Sequence, residues 1–450
     1  MMNYTVENGA IISEKQKIPI VWRGDVLVAG GGPGGLSAAF MAKRNGMDVL
    51  LIEELGFLGG MMSYGCGMPL GGSYPAYRSN GGFSEEVIND LRNSGLDAPD
   101  VRVMGQFSYW FFHDSEYFKS YIAKKVLDEK LRVRLHTTFC DVLMENDRTV
   151  AGIIVESKSG RQAMMAKVFI DATGDADICA RAGADFVIGR DEDGAVMAAN
   201  VVFSLANVDT EKAFAYKKED PRFEKALARA KEDGYFVHPD DKLGNFVSVL
   251  RDGTVFCNSV RIRDINGTDV EDLTRAELES RVRIVQQLNF MRKYIPGCEN
   301  CYIGSTGSRL GVRESRRIIG EDYLSCEDVD KARKREDTGV LRSAGPYDNA
   351  GRGKDPVYIK LNEIDENQWY HIPYGCFVPK KLDNVAIAGR TFSCDYLALT
   401  GARGMALMMG VGEVSGTAAS YAINNNVPMR DVDTLWLRQK LKEQGNNLDD

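Results

Sequence analysis

No stretch of about 20 apolar residues occurs in this chain of 450 residues, which excludes a membrane-spanning helix as its organising element. The start, MMNYTVENGAIISEKQ, lacks the apolar core and cleavage pattern of a secretory signal, so the expected location is the cytoplasm. Long basic runs are missing too. The Lys/Arg cluster at residues 331–335 is short and set among acids, and the formal net charge is −8, so nucleic acid is not an expected partner. Histidine is scarce, with four in the chain. The nine cysteines are odd in number and lack the spacing of a disulfide framework, which fits reduced thiols. A hydrophobic content of 44% suffices for a sizeable core and more than one domain.

What is present begins at residues 25–53. A strand DVLVAG runs into GGGPGG, then a helix, then a strand VLLIE. Gly30 permits the tight turn out of the strand, Gly32 lets backbone approach a pyrophosphate, and Gly35 lets the helix pack closely on the strands. Pro33 and Gly34 belong to the same phosphate-facing turn. The helix N-terminus supplies amide groups and a positive dipole end. Glu53 closes the unit about 20 positions later, where a carboxylate accepts hydrogen bonds from ribose hydroxyls and so favours an unphosphorylated ribose over NADP. Glu54 follows it.

Residues 1–22 read as an N-terminal arm and residues 23–188 as the first part of a Rossmann-type, α/β dinucleotide-binding domain, with an antiparallel meander around Asp147 and Gly160. Residues 189–304 read as an inserted mixed α+β substrate domain. Its long helix is expected to start at Thr274 with Glu277 as a capping box and to bury Ala276, Leu278, Val282, Val285, Leu288 and Met291. Residues 305–339 read as a return helix region at the domain junction and residues 340–383 as a cap. Residues 384–425 return to the first domain, and residues 426–450 form a tail.

Four segments in order, GGGPGG with Glu53, LGGMMSYG, IDATGDADICARAGA and IAGR followed by GARGMALMMGVGEVSGTAAS, carry a family resemblance. The chain resembles the FAD-dependent oxidoreductases of the glutathione-reductase-like superfamily, in the bacterial group similar to fumarate reductase and heterodisulfide reductase flavoproteins. The stretch GSTGSRLGVRESRRIIGEDYLSCEDV is similar to that group as well. The resemblance implies extended FAD. Gly59 and Gly60 would approach its ribityl-phosphate part, Met61 the flavin ring, and the backbone of Val142 the adenine. Thr173, Gly174 and Asp175 would meet phosphate or ordered water, and Gly389 and Arg390 would stand beside the flavin. The last helix would aim its start, near Met405, at the pyrimidine edge of the ring, although Met405 also suits helix core.

The redox step belongs to FAD, and the protein must hold the substrate and move a proton. His371 in WYHIPYG is either the acid or a structural histidine. Tyr374 either hydrogen-bonds substrate or packs. Arg403 matches a family arginine that would clamp an anion, and its other reading is a salt bridge. Gly375 and the stretch TFSCDYLALTG depart from the family pattern, which has an arginine and a histidine there. Arg309, Arg313 and Arg317 recur every four positions, so a helix would align them for an anion or for carboxylates such as Glu314 and Glu321. Cys66 lacks a resolving partner a few positions away, and Cys298 with Cys301 supplies half of a four-cysteine site, so no metal is expected.

The resulting expectation is an FAD-dependent enzyme. It transfers a hydride between flavin N5 and a small polar organic substrate, anionic if Arg403 clamps it, in a direction left open. An external electron donor or acceptor is needed because no second dinucleotide fingerprint is present. The rival is a flavin subunit relaying electrons to a protein partner, and assembly into a homo-oligomer is left open.

Overall fold

The apolar runs VLVA, VLLI, VFID and VAI are short and lack polar alternation, which suits parallel strands covered on both faces. In the computed structural model, which describes residues 4–7, 10–13, 17–73, 81–94, 100–103, 109–248, 252–345, 347 and 369–449, they form the centre of one sheet. Its parallel strands lie in the order Arg132–Arg134, Val49–Ile52, Ile20–Ala29, Gln162–Asp171 and Val385–Ile387. Strand Gln162–Asp171 serves two neighbours on one side. Its end pairs with Val385–Ile387, and its start pairs antiparallel with Thr149–Glu156, which in turn pairs with Thr138–Asn146. The fold is therefore α/β with a Rossmann-type sheet and an antiparallel meander.

Helix Pro33–Arg44 begins with proline in its first turn, where a missing N–H breaks no helical hydrogen bond. Helix Met405–Asn425 lies against it with backbone on backbone. A Cβ at Gly412 would stand 1.9 Å from the carbonyl oxygen of Gly34, and one at Gly416 2.3 Å from that of Ala38. The late helix is therefore part of the first core, with Val411, Val414, Ala418 and Ala419 buried beside Leu36, Ala38 and Phe40.

A second hydrophobic core runs from Ala199 to Leu310. Its antiparallel sheet, in the order Phe246–Ser248, Val255–Cys257, Phe203–Ala206 and Tyr302–Thr306, is accompanied by the long helix Val270–Tyr294. Cys257, Cys298 and Cys301 are all buried in this core. Among the described residues, no group of three or more His, Cys, Asp or Glu side chains could hold a metal ion, and no helix is long and apolar enough to cross a membrane.

Several expectations are corrected. No helix carries Arg309, Arg313 and Arg317; residues 307–315 are irregular, Arg316–Ile318 is a strand paired with Phe186–Ile188, and the 305–339 region holds only the short helix Cys326–Asp330. The four-residue spacing lacked an apolar stripe to bury, and cross-strand pairing prevailed. The long helix starts four residues earlier than expected, capped by Asp269, whose carboxylate accepts the N–H groups of Glu271 and Asp272. On it Ala276, Leu288 and Met291 are buried, but Leu278, Val282 and Val285 are exposed. The first sheet strand starts at Ile20, inside the expected arm; before it, strands Tyr4–Glu7 and Ala10–Ser13 pair as a hairpin. The tail is no appendage, since Leu437, Leu441 and Leu448 are core residues. Of the cap, residues 346 and 348–368 lie outside the described residues.

Glu413, in the middle of helix Met405–Asn425, is 1% exposed and lines a cavity of about 220 Å³ with Arg44 and Lys440, far along that helix from its N-terminus. Burial pushes its carboxyl up to about 7, against the opposing pull of the Phe83 N–H and the Asn446 side chain. The folded protein thus favours the neutral acid. Stability from this group is fully present below the ordinary carboxyl range and is lost as pH rises through about 7. Glu413→Gln should gain on the parent by about 3 kcal/mol between pH 5 and pH 9 in urea unfolding; a gap that does not change with pH would show that the acid ionises normally.

Candidate active site

The site is built where strands end. Gly30 leaves Ile20–Ala29 at φ 103°, and a Cβ there would stand 2.1 Å from the carbonyl oxygen of Ala172, at the end of the neighbouring strand. Gly31 donates its N–H to Glu53 Oε2 at 2.6 Å, and Leu55 donates to Oε1 at 2.8 Å. Burial pushes the Glu53 carboxyl up, and these two N–H groups oppose that shift. Gly59 donates to the Gly31 carbonyl at 2.8 Å, and a Cβ on Gly60 would come within 2.9 Å of Gly32 Cα. No side chain caps the start of Pro33–Arg44 at Gly32, so its first-turn amides are left for a ligand. A Cβ on Gly32 would meet nothing within 4 Å, and the same holds at Gly389. These two open positions flank a cradle floored by Gly34, whose Cβ would stand 2.2 Å from the Ala388 carbonyl oxygen. A space fringed by glycines, uncapped amides and one buried carboxylate fits an extended dinucleotide.

One wall of the cradle is polar. Arg390 pairs with Asp175 at 2.6 Å, and Ser315 Oγ donates to the same carboxylate at 2.6 Å. Gly174, at φ 89°, lies against the Arg390 guanidinium. Thr173 donates its N–H and Oγ1–H to Asp171 Oδ1 at 3.2 and 2.7 Å, and Cys179 N–H donates to Oδ2 at 2.9 Å. Asp171 thus braces the ATGD turn from within. The sequence reading passed over it, although an acid closing the buried run VFID needs such donors.

The other expected contacts fall nearby. Thr137 N–H donates to the Glu53 carbonyl at 2.9 Å, and the half-buried Val142 lies on the strand that leaves from there. Met61 starts the short helix Met61–Tyr64 and reaches Gly311, where a Cβ would stand 2.9 Å from its terminal carbon. Glu54 points elsewhere, into an exposed pair with Arg309. Met405 opens helix Met405–Asn425 after an uncapped Gly404, and Arg403 is half-buried directly before it.

Two catalytic candidates are corrected. His371 is 1% exposed with both ring nitrogens engaged: Nδ1 accepts from Arg335 N–H and Nε2 meets the Leu448 carbonyl, each at 2.9 Å. Burial holds its pKa down at about 4. Tyr374 is buried and donates to the Met429 carbonyl at 2.7 Å. Both side chains tie the sheet to the C-terminal segment and leave no group for a substrate. Cys66 is half-buried at φ 54°, and burial pushes its thiol up, which disfavours the reactive thiolate.

A polar cluster that the sequence reading missed lies behind Ser315. The neighbouring Glu314 and Arg317 form a buried ion pair. Glu314 accepts N–H groups from Gly189 and Met197 at 3.0 and 3.2 Å, and Arg317 donates to the carbonyls of Gly189 and Cys394 at 2.9 and 3.1 Å. The loop between Gly189 and Met197 is thereby pinned, and with it Arg190. Arg190 and Arg317 stand 6.0 and 5.9 Å from the ring centre of Tyr396, and Arg403 acts on the same phenol. Tyr396 is 7% exposed, its hydroxyl has no hydrogen-bond partner, and burial pushes it up to about 12. The clue in the sequence is a tyrosine in TFSCDYLALTG, shortly before GARG.

The open position at Gly32 gives a direct test. Gly32→Ala should leave cofactor-free stability within about 0.5 kcal/mol of the parent, because φ is −71° and the methyl meets no protein atom. FAD affinity should fall at least about tenfold, read by flavin fluorescence quenching; unchanged affinity would mean that the space is not cofactor space.

A sequence model described as FAD dependent oxidoreductase matches residues 25–443. The thiamine thiazole synthase of Sulfolobus acidocaldarius is 28% identical over 166 residues, 35% of this chain, which spans only 57% of that protein's length. A geranylgeranyl bacteriochlorophyll reductase-like protein of Thermoplasma acidophilum is similar in structure over 94% of this chain and 84% of its own, at 15% identity and a TM-score of 0.46. A flavin-dependent brominase is similar over 94% of this chain and 83% of its own, at 13% identity and a TM-score of 0.48. The sequence match spans the glycine turn, the ATGD strand and the late helix, and by it the chain belongs to the FAD-dependent oxidoreductase family, whose members are enzymes that use FAD.

Proposed function

We propose that this enzyme oxidises or reduces a small, anionic organic molecule, with a carboxylate of the substrate received at Tyr396 and its flanking arginines. FAD supplies the hydride chemistry at flavin N5. The finer likeness to fumarate reductase and heterodisulfide reductase flavoproteins belongs to this reading, as does an external redox partner that restores the cofactor.

The observation that carries the proposal is the orphaned hydroxyl of Tyr396 among three guanidinium groups. A buried donor without an acceptor is costly, and an incoming carboxylate oxygen would satisfy it. Arg190 uses Nε and Nη2 on Asp193, which keeps Nη1 for the second oxygen. Each nitrogen of the Arg317 guanidinium has a partner within the protein, so this side chain serves as a fixed positive charge beside the ring. Glu314 and Ser315 are adjacent in sequence; Glu314 acts on the Tyr396 side and Ser315 on the Arg390–Asp175 side, which supports a substrate seat next to the cradle. Arg403, before the uncapped helix start, adds charge from the cofactor side. In this reading the cofactor contacts are Gly30, Gly32, Pro33, Gly34, Gly35, Glu53, Gly59, Gly60, Met61, Val142, Thr173, Gly174, Asp175, Gly389, Arg390 and Met405.

The test is anaerobic mixing of FAD-loaded protein, oxidised or dithionite-reduced, with hydroxy acids and enoic acids and with their uncharged amides. Acids should exchange electrons with the flavin and amides should not. Tyr396→Phe and Arg190→Gln should each slow that exchange at least about tenfold, or roughly 1.4 kcal/mol, with full FAD retention. Equal rates in both variants, or equal reactivity of amides, would overturn the anionic-substrate reading.

A further inference from the structure

The long helix Val270–Tyr294 has a second apolar stripe that faces away from its own core. Leu278, Val282 and Val285 are 65%, 60% and 49% exposed, while Ala276, Ile284, Leu288 and Met291 on the opposite side are buried. The stripe follows the spacing of one helix face. Large apolar groups so aligned and so bare mark a contact surface. The buried side anchors the helix in the second core, so the stripe is held rigidly outward.

The charges on the exposed face decide what covers it. Glu271 and Lys293 stand equally far from Val282 on either side, as do Arg275 and Asn289, and all four are exposed. Leu278 lies four residues before Val282 and Val285 three after it, so this pair is centred within one residue of the same point. Turned over onto an identical copy about a twofold axis at Val282, the face is complementary to itself. Val282 meets the partner's Val282, Leu278 meets the partner's Val285, and Glu271 meets the partner's Lys293 at both ends. Such a contact is isologous, so each interaction is made twice, and the antiparallel arrangement sets opposite dipole ends together. Lys293 already pairs with Asp233 at 2.8 Å, but both are half exposed and that pair is free to be shared. A membrane-surface helix would carry a predominantly basic border; here acid lies at one end and base at the other.

We infer that this helix is the interface of a homodimer, with a second copy of the chain packed antiparallel across Leu278, Val282 and Val285. The helix carries none of the groups assigned to cofactor or substrate, so association and catalysis can be tested apart.

The experiment uses FAD-loaded full-length protein in light scattering and oxidative cross-linking at micromolar concentration. The parent should be a dimer. Val282→Glu should weaken the dimer at least tenfold with the flavin spectrum and melting temperature unchanged. Val282→Cys should cross-link to its twin under mild oxidant, while Val270→Cys, at the far end of the helix, should not. Glu271→Lys and Lys293→Glu should each weaken association, and the double exchange should restore it. A monomeric parent, a dimer indifferent to Val282→Glu, or cross-linking as fast at position 270 as at 282 would overturn the assignment.

Discussion

Contact between two helix backbones governs this structure. Helix Met405–Asn425 can lie on Pro33–Arg44 only because Gly412 and Gly416 carry no side chains, since a methyl at either would stand about 2 Å from the carbonyl of Gly34 or Ala38 on the facing helix. That closeness brings the last long helix of the chain onto the first. It also sets the uncapped start at Gly404 beside the cradle whose other uncapped start is Gly32. In the proposed reading these two positive helix ends, from segments far apart in sequence, would serve one cofactor.

Around that frame the protein buries charge where it needs position. Asp171 is wholly buried yet holds three donors, so the ATGD turn is braced by hydrogen bonds as well as packing. Glu314 and Arg317 bury a charge pair whose remaining valences go to backbone groups of the Gly189 loop and of Cys394. Burying such a pair is weak evidence of stability, and its clear effect is on location. It holds Arg190 and Tyr396 in one cluster next to the Arg390–Asp175 wall. His371 and Tyr374 show the opposite outcome: both are polar groups near an expected site, fully used in fastening the C-terminal segment.

Much of the glycine cradle was legible because its physics is local. A glycine turn after an apolar strand, an acid at the end of the next strand, and an uncapped helix start can each be read from neighbouring residues. The proposed substrate seat was not legible in that way. Arg309, Arg313 and Arg317 have helical spacing, but with no apolar stripe to bury beside them they fell into a loop and a strand. Leu278, Val282 and Val285 have core spacing, but the helix had already buried its other side.

The sequence by itself determined the βαβ unit, because a glycine turn between a strand and a helix follows from local backbone geometry, and its resemblance to FAD-dependent oxidoreductases implied the cofactor. Only the tertiary structure decided which polar groups remain available. Hydrogen-bond satisfaction and burial are set by neighbours distant in sequence: the first consumes His371 and Tyr374 and leaves the Tyr396 hydroxyl without a partner, and the second leaves one apolar stripe of the long helix facing solvent.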